Sequence, residues 1–273
     1  MKRFVFKEKS QKLKFMKRVQ ITGLLSLTIV AILFLSGCYK PWHRIEGNHD
    51  PASETRYPGS FQGIDNRGAF DVYIIPSDDH EVIVEAESNL VPLIRTHVNG
   101  STLIIDTKDN LRPHLPMKIY VYAPGVNEAK LSGSGSIRCD SLDVDKLNVE
   151  LSGSGDIEML LTGNDVSCWL SGSGAIRLHM ETVKLKAEIS GSGMMEFDGF
   201  ADRADLNISG SGSFHAYDLP VDECYARISG SGDMYVSVNN YLDVNISGSG
   251  NVYYLGNPVV HSKITGSGSV IHP

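Results

Sequence analysis

Cysteine is scarce in this chain of 273 residues, and the few cysteines follow no metal-binding pattern. Three of the four lie in the body of the sequence, at Cys139, Cys168 and Cys224. An odd number argues against a full disulfide framework, and no Cys-x-x-Cys pair suggests zinc. We therefore expect these three to be buried free thiols that behave as small apolar side chains.

Basic residues are also scarce once the N-terminus is set aside. Residues 1–38 hold eight Lys or Arg and one acidic residue, which leaves 25 − 8 = 17 basic and 32 − 1 = 31 acidic residues, a balance of −14. A surface this acidic repels phosphate, so we expect no nucleic-acid partner.

Motifs that carry catalysis or bind cofactors are missing as well. The glycines do not follow Gly-x-Gly-x-x-Gly, no Gly-Lys-Ser/Thr occurs, and the nine histidines show no pairing at ligand spacing. The sequence therefore predicts no catalytic residue, no metal and no cofactor.

Only one long apolar run is present, at residues 21–35, and fifteen residues are short for a bilayer span. The apolar run is preceded by four basic residues, Lys12, Lys14, Lys17 and Arg18, and it ends in "LSGC". Residues 1–37 are therefore predicted to be a signal peptide that starts at Met1 or Met16. "LSGC" resembles the lipobox of bacterial lipoproteins, which implies that Cys38 becomes a lipidated first residue that tethers the protein to a membrane. An uncleaved anchor and an ordinary signal peptide are the alternatives.

The segment after the predicted lipid is polar, contains three prolines and lacks periodicity. Residues 38–58 are therefore predicted to be the lipidated cysteine and a flexible tether. Residues 59–130 are predicted to be an N-terminal β region continuous with the repeats that follow. Its strands are expected at residues 69–76, 81–86, 101–107 and 117–124, because these stretches are β-branched or aromatic and are bounded by turn residues.

A four-residue unit, Ser/Thr-Gly-Ser-Gly, recurs eight times, at steps of 18 to 20 residues. A period near 19 indicates a solenoid, in which each turn stacks on the next, so residues 131–273 are predicted to be an all-β solenoid. We call each turn a coil and each Gly-Ser-Gly a corner. The corner glycines are Gly133, Gly135, Gly153, Gly155, Gly172, Gly174, Gly191, Gly193, Gly210, Gly212, Gly230, Gly232, Gly248, Gly250, Gly266 and Gly268.

Apolar residues alternate with polar ones on both sides of each corner, which indicates strands with one buried face. Glycine suits the corner for two reasons. It reaches positive φ, and its missing side chain lets stacked corners approach at strand spacing.

The third residue after each corner is expected to point outward. The first four of these residues alternate in charge, and the later ones are mainly aromatic or apolar; the whole column reads Arg138, Glu158, Arg177, Glu196, His215, Tyr235, Tyr253, Ile271. The candidate contact surface consists of Tyr235, Tyr253 and Ile271, together with Trp169 and Tyr225 on the other outward strand face. The alternative is ordinary β-propensity at exposed positions.

The segments "F.GI...GAFDVYI......VIVEAE.NL" and "AKLSGSGSI", followed by the repeated corners, resemble a bacterial family, the putative auto-transporter adhesins with a head GIN domain that are common in Bacteroidetes lipoproteins. The resemblance covers about residues 60 to 273. It implies a right-handed parallel β-helix, located at the cell surface or in the outer membrane, with an adhesive role.

We therefore expect a non-enzymatic envelope lipoprotein that binds glycan or protein through a rigid repeat face. The open edge of its last coil, or another part of the solenoid, is a candidate site of self-association. A location on the periplasmic face stays open. A polysaccharide-degrading β-helix enzyme is the first alternative, although coils of 18 to 20 residues leave no room for long active-site loops. A purely structural envelope component is the second.

Overall fold

A computed structural model describes residues 44–273 of the chain. The predicted signal peptide and Cys38 lie outside the described residues. Within residues 44–273, no helix has the length and hydrophobicity needed to cross a membrane.

The N-terminal half is built from short strands and one 3-10 turn, Val91–Leu93. The strands are β1 (Arg44–Glu46), β2 (Pro51–Arg56), β3 (Gly63–Asn66), β4 (Asp71–Pro76), β5 (Glu81–Glu87), β6 (Ile94–Asn99), β7 (Thr102–Thr107), β8 (Asn110–Arg112) and β9 (Lys118–Ala123). The four strands predicted in this region are confirmed as β4, β5, β7 and β9.

The repeat region contains longer strands, most of which run from one corner to the next. They are β10 (Glu128–Leu131), β11 (Ser136–Leu151), β12 (Asp156–Leu170), β13 (Ala175–Ile189), β14 (Met194–Ile208), β15 (Ser213–Ile228), β16 (Met234–Ile246), β17 (Val252–Leu255), β18 (Val259–Ile264) and β19 (Val270–Ile271).

Consecutive long strands pair in parallel along almost their whole length. Strand β12 pairs with β13 from Asp156 and Ala175 through to Leu170 and Ile189. The pairing repeats from β11 to β16 and produces a solenoid of about 8 turns with about 19 residues per turn. The predicted β-solenoid is therefore confirmed.

The interior is a set of apolar columns that run along the solenoid. The last residue before each corner is one example, because Leu151, Leu170, Ile189 and Ile208 stack in register and are at most 1% exposed. Burying such side chains removes apolar surface from water, which is the main force favouring the fold.

The three cysteines of the body are buried free thiols, as predicted. Burial raises the pKa of Cys168 well above its ordinary value. Burial, with the negative charge of Asp205, raises the pKa of Cys224 to about 12. These thiols therefore stay protonated at neutral pH and belong to the core.

The corners bring the backbones of neighbouring coils into very close contact. A Cβ atom built on Gly172 would lie 1.8 Å from the carbonyl oxygen of Gly153, and one built on Gly153 would lie 1.9 Å from that of Gly133. The backbone N–H of Ser173 donates to the Gly153 oxygen at 3.2 Å, so the ladder continues through the corner. The close approach requires glycine at these positions.

The other expected reason for glycine, a positive φ, is wrong for nearly every corner. Among the sixteen corner glycines only Gly266 has a positive φ, at 143°. The chain turns through ordinary backbone conformations, and the space between coils is what excludes a side chain.

The solenoid begins one corner earlier than the repeats indicate. A Cβ atom on Gly133 would lie 1.8 Å from the oxygen of Gly68, so the segment around Gly68 acts as a corner that lacks the Ser-Gly-Ser-Gly sequence. The buried Asn66 holds it, since its amide donates to the Phe70 carbonyl at 2.8 Å and its side-chain oxygen accepts from the Gly68 N–H at 3.1 Å. Strands β3 and β4 pair in parallel with β10 and β11.

The flexible tether predicted for residues 38–58 is wrong for the part that the structure describes. Strand β1 pairs with β8, and β2 pairs antiparallel with β5. The buried carboxylate of Glu87 accepts N–H groups from His49 at 2.7 Å and His114 at 2.8 Å. Burial alone raises the pKa of Glu87, but these backbone donors outweigh it and hold the pKa below its usual value. Hydrogen bonds, and not an apolar face, hold this segment in place. Its polar, non-periodic sequence therefore gave no sign that it is ordered.

Differences in coil length are confined to one side of the solenoid. Register shifts occur between Cys139 and Leu142, between Glu196 and Ala201, and between Ala216 and Pro220. Each lies after the strand that follows a corner and before the strand that leads to the next one. The corners and both of these strand faces therefore keep their register.

The last coil has a neighbour on one side only among the described residues. Strand β18 pairs with β16, yet Val259 is 62% exposed and Ile264 is 42% exposed. Ile264 continues the buried column above Ile246, so its exposure reflects an open end of the core.

The corner contact predicts a large stability difference between two glycine substitutions. Gly172→Ala places a Cβ against the Gly153 oxygen and is expected to lower the free energy of unfolding by about 2–4 kcal/mol. Gly125→Ala is the matched control, because no atom lies within 4 Å of its Cβ position. Urea unfolding followed by circular dichroism measures both. Equal midpoints for the two variants would contradict the close-approach explanation.

Candidate binding surface

The outward column predicted from the sequence is a continuous ladder along the solenoid. Each member is paired with the next in register, and the column extends to Tyr73 and Tyr120 at the N-terminal end. We call this surface the outer ladder; its members are Tyr120, Tyr73, Arg138, Glu158, Arg177, Glu196, His215, Tyr235, Tyr253 and Ile271. It is charged in the middle and aromatic or apolar toward both ends.

The charged part of the outer ladder contains ion pairs between neighbouring coils. Arg138 Nε lies 3.6 Å from Glu158 Oε2, and Arg177 Nε lies 3.6 Å from Glu196 Oε2. Arg177 also contacts Asp156 at 3.3 Å. These side chains are substantially exposed, so each pair stabilises the fold by about 1 kcal/mol at most. The main effect of the alternating charges is that no two like charges are neighbours at strand spacing, where they would repel each other.

The aromatic part consists of rings that stack along the solenoid axis. The ring centroids of His215 and Tyr235 are 5.0 Å apart, and those of Tyr235 and Tyr253 are 4.9 Å apart with an interplanar angle of 8°. Tyr217 adds an edge-on contact to Tyr235 at 5.5 Å. Stacked rings cover one another's faces, so this surface presents ring edges and hydroxyl groups to solvent.

The tyrosine hydroxyls remain hydrogen-bonding groups over a wide pH range. Burial, with the charge of Asp233 and the neighbouring Tyr253, raises the pKa of Tyr235. Burial, with its aromatic neighbours Tyr235 and Tyr253, likewise raises the pKa of Tyr217. Both groups therefore stay protonated at neutral and mildly alkaline pH and can donate as well as accept.

The structure brings three of the five candidate contact residues together. Tyr235, Tyr253 and Ile271 are consecutive in the outer ladder and are partly exposed. Trp169 and Tyr225 lie on strands that lead into a corner, in different columns and three coils apart. The candidate surface therefore divides into three separate places.

Tyr225 belongs to a second aromatic cluster that the sequence pattern did not reveal. Its ring centroid is 5.9 Å from that of Tyr241, which in turn is 5.6 Å from that of His261. The Arg203 guanidinium carbon lies 4.1 Å from the centre of the Tyr225 ring. Each of these contacts joins residues of two different columns, so the alignment of single columns across the coils does not show it.

Trp169 lies in a shallow groove without an aromatic neighbour among the described residues. Its register partners on the two adjacent coils are Glu150 and Glu188. The groove has a cavity volume of about 520 Å³, and Glu128 and Lys130 also line it.

The two aspartates that directly follow a corner are too far apart to act as a catalytic pair. Asp156 and Asp233 occupy equivalent corner positions four coils apart. Asp198 contacts the ring of His179 on the neighbouring coil, at an exposed site. Across residues 44–273, no group of three or more His, Cys, Asp and Glu side chains is placed to hold a metal ion.

A family model described as "putative auto-transporter adhesin, head GIN domain" matches residues 60–258. The chain belongs to this family. The match covers the N-terminal strands from β3 onward and most of the solenoid, so the resemblance noted from the sequence is confirmed. No curated protein matches the chain significantly.

Solved structures of similar proteins share the fold along nearly their whole length. A putative lipid binding protein from Parabacteroides distasonis is 28% identical, with a TM-score of 0.78 over 84% of this chain and 100% of that chain. A putative adhesin from the same species is 25% identical, with a TM-score of 0.80 over 83% of this chain and 98% of that chain. A putative adhesin from Parabacteroides merdae is 22% identical, covers 84% of this chain and 99% of its own, and shows the same fold with a TM-score of 0.79.

The alternating charges predict a salt-dependent effect of charge reversal. Arg177→Glu places three acidic side chains on successive coils, at Glu158, residue 177 and Glu196. We expect the free energy of unfolding to fall by about 1–2 kcal/mol at low salt, and by less than half of that in about 0.5 M NaCl. Arg177→Gln, which removes the charge without reversing it, is the control. Urea unfolding at both salt concentrations provides the measurement, and equal losses for the two variants would contradict the ladder.

Proposed function

We propose that the protein is a non-enzymatic lipoprotein of the cell envelope that acts as an adhesin, binding a glycan or protein ligand through the aromatic part of the outer ladder. The observation that carries this proposal is the stack of His215, Tyr235 and Tyr253 on a parallel sheet. Membership of an adhesin-named family supports a binding role over an enzymatic one.

The ladder suits repeated weak contacts. Neighbouring rings are separated by about one strand spacing, roughly 4.8 Å, and the glycine corners keep that spacing constant. A ligand with hydrogen-bonding groups along its length can therefore contact several tyrosine edges at once. Each contact is weak alone, but several together give a high overall affinity.

The location follows from the predicted leader. Lipidation of Cys38 would hold the domain at the outer membrane, and display on the outer face is required for adhesion. Self-association through β18 belongs to the same proposal. Within the described residues this strand pairs on one side only, with β16, and such an edge can pair with a second copy. Light scattering that finds only monomers would remove the self-association.

Truncating the stacked rings is expected to weaken ligand binding. The double variant Tyr235→Ala, Tyr253→Ala should bind at least about tenfold more weakly, since interface aromatic residues often each contribute more than about 1 kcal/mol. The measurement is the affinity for cells, or for the ligand that glycan and protein arrays identify. Tyr57→Ala is the matched control, because Tyr57 is 75% exposed and lies outside the ladder.

Other outcomes of the same experiment separate the alternatives. Depolymerisation of a polysaccharide would favour an enzyme, and the absence of any ligand would favour a structural role. Binding to phospholipid vesicles alone would instead favour the lipid ligand that the name of one structural neighbour suggests. Unchanged affinity in the double variant would remove the aromatic ladder from the proposal.

The anchor is tested separately by Cys38→Ala. We expect this variant to leave the membrane fraction, while the unmodified protein remains there and incorporates labelled fatty acid. Antibody labelling of intact cells then shows which face carries the protein. Labelling only after the outer membrane is opened would contradict the adhesin proposal.

A further inference from the structure

We infer that the groove around Trp169 binds an arginine side chain of a protein partner. This inference rests on the proposed function and deepens it, because it names the chemistry that one part of the surface recognises. At two other places the protein already holds one of its own arginines on an aromatic ring beside carboxylates.

The first of these places is Arg203. Its guanidinium carbon lies 4.1 Å from the centre of the Tyr225 ring, and its Nη2 atom contacts Asp205 at 3.2 Å. A second carboxylate, that of Glu223 on the next coil, lies 3.8 Å from Nη1. The flat cation is thus held by one ring and two carboxylates, which is the arrangement that guanidinium groups favour.

The second place is Arg138, in the outer ladder. Its guanidinium carbon lies 5.9 Å from the centre of the Tyr73 ring, and its Nε atom lies 3.6 Å from Glu158. Its Nη1 atom also donates to the hydroxyl of Ser136 at 2.9 Å. In both places the ring and one carboxylate come from coils adjacent to the coil of the arginine.

Trp169 has the ring and the carboxylates but lacks the cation. Strand pairing places it between Glu150 and Glu188 on the adjacent coils. Across residues 44–273, no Arg or Lys side chain lies over its ring. The groove contains three glutamates and one lysine, which gives a balance of 1 − 3 = −2.

That one lysine is already engaged. Lys130 Nζ lies 3.1 Å from Glu128 and 3.3 Å from Glu150. These contacts raise the pKa of Lys130 and keep it charged, with the hydrogen bond to Glu128 contributing most. Glu188 has no ion-pair partner within the described part of the chain, and Lys186, two residues before it, does not line the groove.

The unpaired carboxylate of Glu188 indicates which class of ligand the groove binds. An anionic group would be repelled by the groove, and a neutral group would leave the half-buried carboxylate of Glu188 uncompensated. A guanidinium can stack on the indole face and pair with Glu188 at the same time, which repeats the arrangement at Arg203. Arginine fits better than lysine because its cation is planar and weakly hydrated.

Fluorescence of Trp169 provides the test. The chain contains two tryptophans, so Trp42→Phe in the full-length protein leaves Trp169 as the only indole emitter. The probes are an acetylated, amidated Gly-Arg-Gly peptide and its citrulline counterpart, in which a neutral ureido group replaces the guanidinium. We expect a saturable change with a roughly millimolar Kd for the arginine peptide, and binding at least about tenfold weaker for citrulline.

Two variants separate the site from the general acidity of the protein. Glu188→Gln should weaken arginine binding about tenfold, whereas Glu181→Gln, which removes an exposed carboxylate from the same strand β13, should leave it unchanged. Far-UV circular dichroism checks that both variants are folded. Equal binding of citrulline, an unaffected Glu188→Gln variant, or no saturable change up to the solubility limit of the peptide would each overturn the inference.

Failure of this inference can be distinguished from failure of the proposed function. If the arginine titration fails while Tyr235→Ala, Tyr253→Ala still abolishes attachment to cells, only the Trp169 site is removed. If the titration succeeds but no attachment is found, the groove binds arginine in a protein that is not an adhesin. Preferential binding of oligomeric glucosamine over the arginine peptide would also overturn the inference, since it would assign the groove to an amino sugar.

Discussion

At each corner of the solenoid, the carbonyl oxygen of one glycine occupies the position that a side chain of the next coil would need. This contact is purely steric, and much of the rest of the structure depends on it. Because the chain must bring a glycine to the same point in every coil, the strands on either side stay in register over most of the repeats. Register in turn stacks the apolar columns of the interior and aligns the outward side chains into ladders.

Much of this architecture could be predicted because neighbours in space are separated by one sequence period. Aligning the repeats was enough to identify Leu151 and Leu170 as one buried column and Arg138 and Glu158 as one exposed column. The same logic failed where the repeat is absent. Order in residues 44–56 depends on pairing with β5 and β8 and on the buried carboxylate of Glu87, and none of these contacts has a periodic signature.

The candidate binding surfaces show a similar division. The order of residues in the outer ladder followed from the period, but the orientation of its rings did not, because that orientation depends on side-chain rotamers. The alternation of charge predicted the pairing of Arg177 with Glu196, whereas the stacking of Arg203 on Tyr225 joins two different columns. The unpaired carboxylate of Glu188 is likewise visible only when the partners of Lys130 are known.

Variation in coil length is absorbed on one side of the solenoid, between the strand that leaves a corner and the strand that enters the next. Residues added there do not change the corner contact or the outer ladder. That side is therefore a natural place for new loops to arise during evolution, or to be grafted by design. A row of such loops would be held at the spacing of the coils, so the protein is a scaffold on which recognition elements can be arranged in a line.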